Sequence, residues 1–168
     1  MKHGATLEEE FVRRFHRKIF LDVEINPEKK TNPYAPDLRI GHNKEIADLK
    51  TQNSPFFTAG DRFSGYNPRY TVTFNVNDYE RYLQFYPDIH ILFWVDWQML
   101  EWENRFGEMY KVDYLHGVWH CKLSSIKQFI QEGAPKHGYQ RRKNDFRGNA
   151  KDSYLLDIRN MNCIATLS

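Results

Sequence analysis

The sequence predicts one mixed α/β domain, a central β-sheet flanked by helices, and three features lead to that reading. An amphipathic helical stretch opens the chain, alternating and fully apolar strand patterns follow it, and two more helical stretches are set among those strands. The length of 168 residues suits a single domain over residues 1–168 with one core.

Residues 6–18 have helical spacing. Thr6 is placed to cap the N-terminus, and Glu8, Glu9 and Glu10 put negative charge in the first turn, where the helix dipole favours it. Leu7, Phe11, Val12, Phe15 and Ile19 form the apolar stripe. Residues 19–25 alternate as a strand, and 26–34, with Pro27, Lys29, Lys30, Asn32 and Pro33, form a turn-rich connection. Residues 37–40 and 45–52 are two short strands joined by the hairpin chemistry of Gly41-His42-Asn43-Lys44. The segment 53–69, rich in Gly, Pro and aromatic residues, is a long loop, and loops of this length in compact domains tend to carry function.

Residues 70–76 alternate as a strand. A helix then starts at an Asn77 cap with Glu80 at the capping-box position, carries Tyr79, Tyr82, Leu83 and Tyr86 on one face, and stops at Pro87. The continuous apolar run 89–97 reads as a central strand buried on both faces. The acidic stretch 96–108, with Trp97, Trp102 and Phe106, reads as a packed connection. One or two strands follow in 109–123. A helix capped by Ser124 or Ser125 then packs Ile126, Phe129 and Ile130 inward and ends at Gly133. A basic, turn-rich segment spans 136–151, and 153–158 reads as the last strand.

Net charge is only +2, so no global polycation marks the chain, and positive charge must act locally. Ten Tyr, twelve Phe and four Trp supply core area and equally suit base stacking, so they do not choose between the two uses. Cys121 and Cys163 form no CxxC motif and are expected to be reduced core thiols. The charged start and the shortness of the 89–95 apolar run argue against a signal peptide and a membrane span, so a cytoplasmic protein is expected. The seven histidines show no HxxxH or HExxH helical spacing. His116 and His120 lie four apart in a strand, which disfavours zinc.

The chemistry concentrates in Pro36-Asp37 and Asp48-Leu49-Lys50. Residues two apart on a strand share a face, so Ile46, Asp48, Lys50 and Gln52 point one way, while Ala47, Leu49 and Thr51 point the other way into apolar packing. A hairpin brings Asp37 beside Asp48. Two converging carboxylates repel each other, and a hard divalent cation such as Mg²⁺ relieves the repulsion. Such an ion activates water and stabilises charge on a phosphate, and Lys50 adds electrostatic or proton-transfer help. These residue types and spacings suit phosphodiester hydrolysis.

The pattern resembles the PD-(D/E)XK nuclease superfamily, which includes restriction endonucleases and Holliday junction resolvases. The matching residues are Pro36-Asp37 and Asp48-Leu49-Lys50, and the likeness is specific over about residues 4–52. The resemblance implies a restriction endonuclease-like core, metal ligation by Asp37 and Asp48, and a catalytic Lys50. It also implies an added acidic residue on the first helix. Glu8 is chosen over Glu9 and Glu10, since it lies in the middle of the apolar stripe, where an unpaired acid is costly. Gly4 followed by Glu8 is also similar to the resolvases' first motif.

The expected function is a Mg²⁺- or Mn²⁺-dependent endonuclease acting on DNA in restriction, repair or recombination, with no small-molecule cofactor. Cutting both strands with one small site calls for two copies, so a homodimer is expected. Gln52 shares the active face and is a substrate contact, and Arg62, Arg69, Arg141, Arg142 and Lys143 are candidate phosphate contacts. Phe63 and Tyr66 are candidates for wedging or stacking. The alternative is a catalytically inactive module of the same fold that binds nucleic acid or a protein partner. A glycosidase using the paired acids ranks last, because so short a chain has little room for a sugar cleft and Lys50 would have no task.

Overall fold

The computed structural model of the chain describes residues 6–17, 22–138 and 152–167. Its elements run α1 (Leu7–Phe15), β1 (Val23–Ile25), β2 (Leu38–Ile40), β3 (Glu45–Gln52), α2 (Ala59–Arg62), β4 (Thr71–Asn75), α3 (Val76–Phe85), β5 (His90–Asp96), β6 (Glu101–Glu103), β7 (Met109–Lys111), β8 (His116–Lys122), α4 (Leu123–Gln131), β9 (Lys136–His137), β10 (Ser153–Asp157) and β11 (Asn162–Thr166). The fold is mixed α/β with a mixed central sheet flanked by helices, as the periodicities predict.

Among the described residues, six strands form that sheet in the order β1-β2-β3-β5-β8-β11. β3 and β5 run parallel, and the other neighbours are antiparallel. β5 lies in the middle and is apolar on both sides for a physical reason. Leu92 and Trp94 face one core with Phe11 and Phe15 of α1, while Ile91, Phe93 and Val95 face the other. That second core is closed by α3, α4 and a smaller sheet ordered β4-β10-β9. Residues 23–52 form an antiparallel meander, and Gly41 allows its hairpin turn with φ +74°.

α1 is held at its start by a reciprocal capping box. Thr6 Oγ1 accepts from the Glu9 N–H at 3.2 Å, and the Glu9 carboxylate accepts from the Thr6 N–H at 2.8 Å. The helix is shorter than its periodicity predicts. It stops at Phe15, and Leu7 is exposed rather than part of the apolar face. Residues 18–21 lie outside the described residues, so the start of the expected 19–25 strand does too; its described part is β1.

Several local expectations are corrected. The cap of α3 is Asn75, whose side chain accepts from the Asn77 N–H, because β4 turns directly into the helix. α4 begins without a side-chain cap; the Leu123 N–H donates to the Ile89 carbonyl of the neighbouring strand instead of to Ser124 or Ser125. The long 53–69 segment contains α2 and runs into a 3₁₀ turn at Pro68–Tyr70. The 96–108 stretch is not a packed connection throughout. Trp97 is buried, but β6 pairs with β7 as an exposed hairpin in which Trp102 and Phe106 remain accessible. Strand β11, missed by the sequence pattern, adds an edge beside β8 and carries Cys163 in an exposed position. Only Cys121 is a core thiol, and both are free. No helix among the described residues is long and apolar enough to cross a membrane.

Candidate active site

The β2–β3 register builds the acidic pair. Leu38 lies opposite Ala47, so Asp37, one residue before β2, is brought to the level of Asp48. The chain leaves the sheet at this point, and the Asp37 carboxylate takes over from the departing strand: its Oδ2 accepts from the Leu49 N–H at 3.1 Å. Asn26, fully buried, secures the departing segment by donating its amide to the Pro36 carbonyl at 2.9 Å and its backbone N–H to the Asp37 carbonyl at 3.0 Å. Ala47 and Leu49 pack against α1, so Asp48 and Lys50 emerge on the opposite face, beneath α3 and β4.

Asp48 is 2% exposed. Its Oδ2 has no aligned hydrogen bond, but Lys50 Nζ lies 2.7 Å away as an ion pair. Lys50 also reaches Asp78 Oδ2 on the first turn of α3 at 2.6 Å, and Arg81, one helical turn on, holds Asp78 Oδ1 at 3.1 Å. Tyr82 completes the helix's contribution with a hydroxyl that accepts from Arg81 at 3.3 Å and feels the Asp48 charge. Asp78, Arg81 and Tyr82 share one helical face because they are spaced three and four residues apart.

On the far side of Asp37 stands Lys29, from the 3₁₀ turn Pro27–Lys30. Its ammonium contacts Asp37 Oδ1 and lies 3.4 Å from Glu8 Oε1. Glu8 therefore meets the site through Lys29, from the α1 side of the sheet. Glu9 is occupied by the capping box, and Glu10 by Arg13 at 2.6 Å.

The electrostatics follow from burial and proximity. Burial pushes the Asp48 carboxyl up to about 7 against the pull of Lys50, and neighbouring Asp37 adds to the rise. Burial opposes the Asp37 charge too, yet hydrogen bonds with Asp48, Lys29 and the Leu49 N–H together hold it below the ordinary carboxylate value. Of the two acids, Asp48 is therefore the one that holds a proton more tightly. Burial also works against the Lys50 charge, but Asp48 and Asp78 outweigh it and raise its pKa. The Tyr82 hydroxyl is raised by burial and then by Asp48, so it stays a proton donor. Among the described residues, the cluster holds four carboxyl groups (Glu8, Asp37, Asp48, Asp78) against three cations (Lys29, Lys50, Arg81).

Among the described residues no group of three or more His, Cys, Asp or Glu side chains is arranged to hold a metal ion. The pair Asp37 and Asp48 nevertheless suits Mg²⁺ or Mn²⁺, which take one or two carboxylates and complete their shell with water and phosphate oxygens. The buried Asp48 Oδ2, which lacks an aligned hydrogen bond, fits such an ion.

The other predicted residues are placed apart from this cluster. Gln52 shares the Asp48 face, but its amide is bound to the β4 backbone, donating to the Thr73 carbonyl at 2.9 Å and accepting from the Thr73 N–H at 3.4 Å. Arg69 is used structurally, donating to Tyr70 Oη at 2.8 Å and to the Tyr114 carbonyl at 3.0 Å. Exposed Arg62 stacks over Phe56 and Phe63 and lines a groove of about 430 Å³ with Phe56, Phe57, Trp102 and His137. Tyr66 borders a different hollow, beside Phe129 and Leu155. Arg141, Arg142 and Lys143 lie outside the described residues. His116 accepts from the Trp94 indole at 3.0 Å, and His120 pairs with His90 at 2.7 Å.

Sequence reasoning missed Lys29, Asp78, Arg81 and Tyr82. The Asp78, Arg81, Tyr82 spacing was a usable signal for a polar helical face. Lys29 had none, because its place depends on how the 26–36 connection folds back. Comparison of the chain with family models, with curated proteins and with solved structures gives no match.

Proposed function

We propose that the chain is a Mg²⁺- or Mn²⁺-dependent endonuclease that hydrolyses DNA phosphodiester bonds at Asp37, Asp48 and Lys50. The observation that carries this reading is a buried carboxylate, Asp48, brought level with Asp37 by the β2–β3 register while an ammonium stands 2.7 Å from it. A purely structural ion pair has no use for a second acid in the same hollow. The order α1, β1–β3, α2, β4, α3, β5, with Asp37 just before the second strand and Asp48 on the third, supports the nuclease likeness of residues 4–52.

A bound divalent ion would supply Lewis acidity toward the phosphate and a more acidic water. Asp37 and Asp48 would hold that ion. Lys50, protonated and pinned by Asp78, presents positive charge where the phosphate oxygens gain negative charge. Arg81 fixes Asp78 and reaches the Tyr82 hydroxyl. The Arg62 groove begins at Ser54, at most about 13 Å along the chain from Lys50, so one strand of a bound nucleic acid can reach both.

The test is cleavage of plasmid and oligonucleotide DNA with Mg²⁺, Mn²⁺ or EDTA. Cleavage is expected only with metal, and Asp48→Ala or Lys50→Ala is expected to lower it by about 10²-fold or more. Unchanged cleavage in either variant removes the assignment. The second reading, an inactive module that binds nucleic acid or a protein partner, is favoured by one observation: Lys29 and Lys50 already neutralise both acids. Metal-stimulated DNA binding without cleavage would support it.

A further inference from the structure

Lys29 sits where a cation belongs. Its ammonium bridges Asp37 Oδ1 and Glu8 Oε1, two carboxylates carried by separate elements, and it is only about a quarter exposed. Asp37 divides its two oxygens: Oδ1 goes to Lys29, and Oδ2 goes to the Leu49 N–H. On the other side of the acidic pair, Asp48 Oδ2 is buried without an aligned hydrogen bond. The cluster therefore has two cation places. One, at Asp37 and Asp48, is approached by the Lys50 ammonium, 2.7 Å from Asp48 Oδ2. The other, between Asp37 and Glu8, is held by a side chain.

We propose that Lys29 is a built-in cation, its ammonium filling the place between Glu8 and Asp37 that a second divalent ion would otherwise take, so that the site works with a single ion. This rests on the metal-dependent reading above and changes the role of Glu8 from ligand to anchor of Lys29. A fixed ammonium supplies one positive charge at constant geometry and independently of metal concentration. It also repels a second divalent ion by Coulomb's law, keeping that ion off Asp37 while the first ion uses the Asp48 side.

The stoichiometry of Mn²⁺ binding, measured by calorimetry and by paramagnetic resonance without DNA, tests this. The wild-type chain is expected to bind one Mn²⁺. Lys29→Met, which keeps the length and removes the charge, is expected to bind two, with the first at least about tenfold tighter for loss of the neighbouring charge. Lys29→Arg is expected to keep one. The double variant Glu8→Gln, Lys29→Met is expected to return to one, locating the second ion at Glu8. If Lys29→Met does not fold, Lys29→Gln carries the same measurement.

Two ions on the wild-type chain, or one ion of unchanged affinity on the charge-removed variant, would overturn the proposal. Because the readout is an ion count, it separates from the nuclease reading. DNA cleavage that survives Asp48→Ala sinks that reading whatever the count. Cleavage that depends on Asp48, with a count unmoved by Lys29→Met, sinks only this one. Absence of Mn²⁺ binding in every variant sinks both.

Discussion

Replacing Asp48 with asparagine should make the fold more stable above neutral pH and leave it nearly unchanged near pH 4. In the folded chain the Asp48 carboxyl is pushed up to about 7, whereas the unfolded value is near 3.8. A carboxyl whose pKa is raised on folding binds its proton more tightly in the native state, so its contribution to stability falls as pH rises from about 4 to about 7 and is flat beyond. If Asp48 titrated alone, the fall would be roughly 4 kcal/mol, from about 1.4 kcal/mol per pH unit. Asp37 is lowered by the same contact and returns part of that, so roughly 4 kcal/mol is the ceiling of the effect. The substituted amide resembles the protonated acid in shape and cannot ionise, while Lys50 keeps its ion pair with Asp78. Urea unfolding of wild type and Asp48→Asn at pH 4, 5.5 and 8 without divalent ions measures the effect. The variant should gain on the wild type steadily through this range, and added Mg²⁺ at pH 8 should stabilise only the wild type. A variant less stable than the wild type at pH 8, or a gap that does not change with pH, would refute the argument that burial beside Asp37 makes the Asp48 charge costly.

Two further perturbations address the scaffold. Phe11 is fully buried against Phe15 and Trp94, with ring centroids 4.8 and 5.7 Å away, so Phe11→Ala should cost about 3–5 kcal/mol in urea unfolding; a loss under about 1 kcal/mol would mean that α1 does not hold the sheet. At Gly117 a Cβ would stand 2.5 Å from the Ala165 carbonyl oxygen of β11 and 2.8 Å from the Trp119 ring. Gly117→Ala should therefore force β11 away from β8 and raise amide exchange along residues 162–166 ahead of the central strands, and unchanged protection there would contradict the close approach.

The amino-acid sequence determined the class of fold because burial imposes its period directly. The 91–95 stretch has no polar residue on either face, so it had to be a central strand, and the alternation through 45–52 by itself separated Asp48 and Lys50 from Ala47 and Leu49. Capping was less legible where tertiary contacts supplied the partner, as at Leu123, whose N–H is satisfied by Ile89 of another element. The acids' proximity could be anticipated from the short hairpin between them. Only the tertiary structure decided which cations they meet: Lys29 arrives by the fold of a connection without periodicity, and Asp78, Arg81 and Tyr82 arrive because β4 delivers α3 across the Asp48 face. Charge pairing acts through space, and no spacing within the chain records it when the partners lie on elements 21 or 28 residues apart.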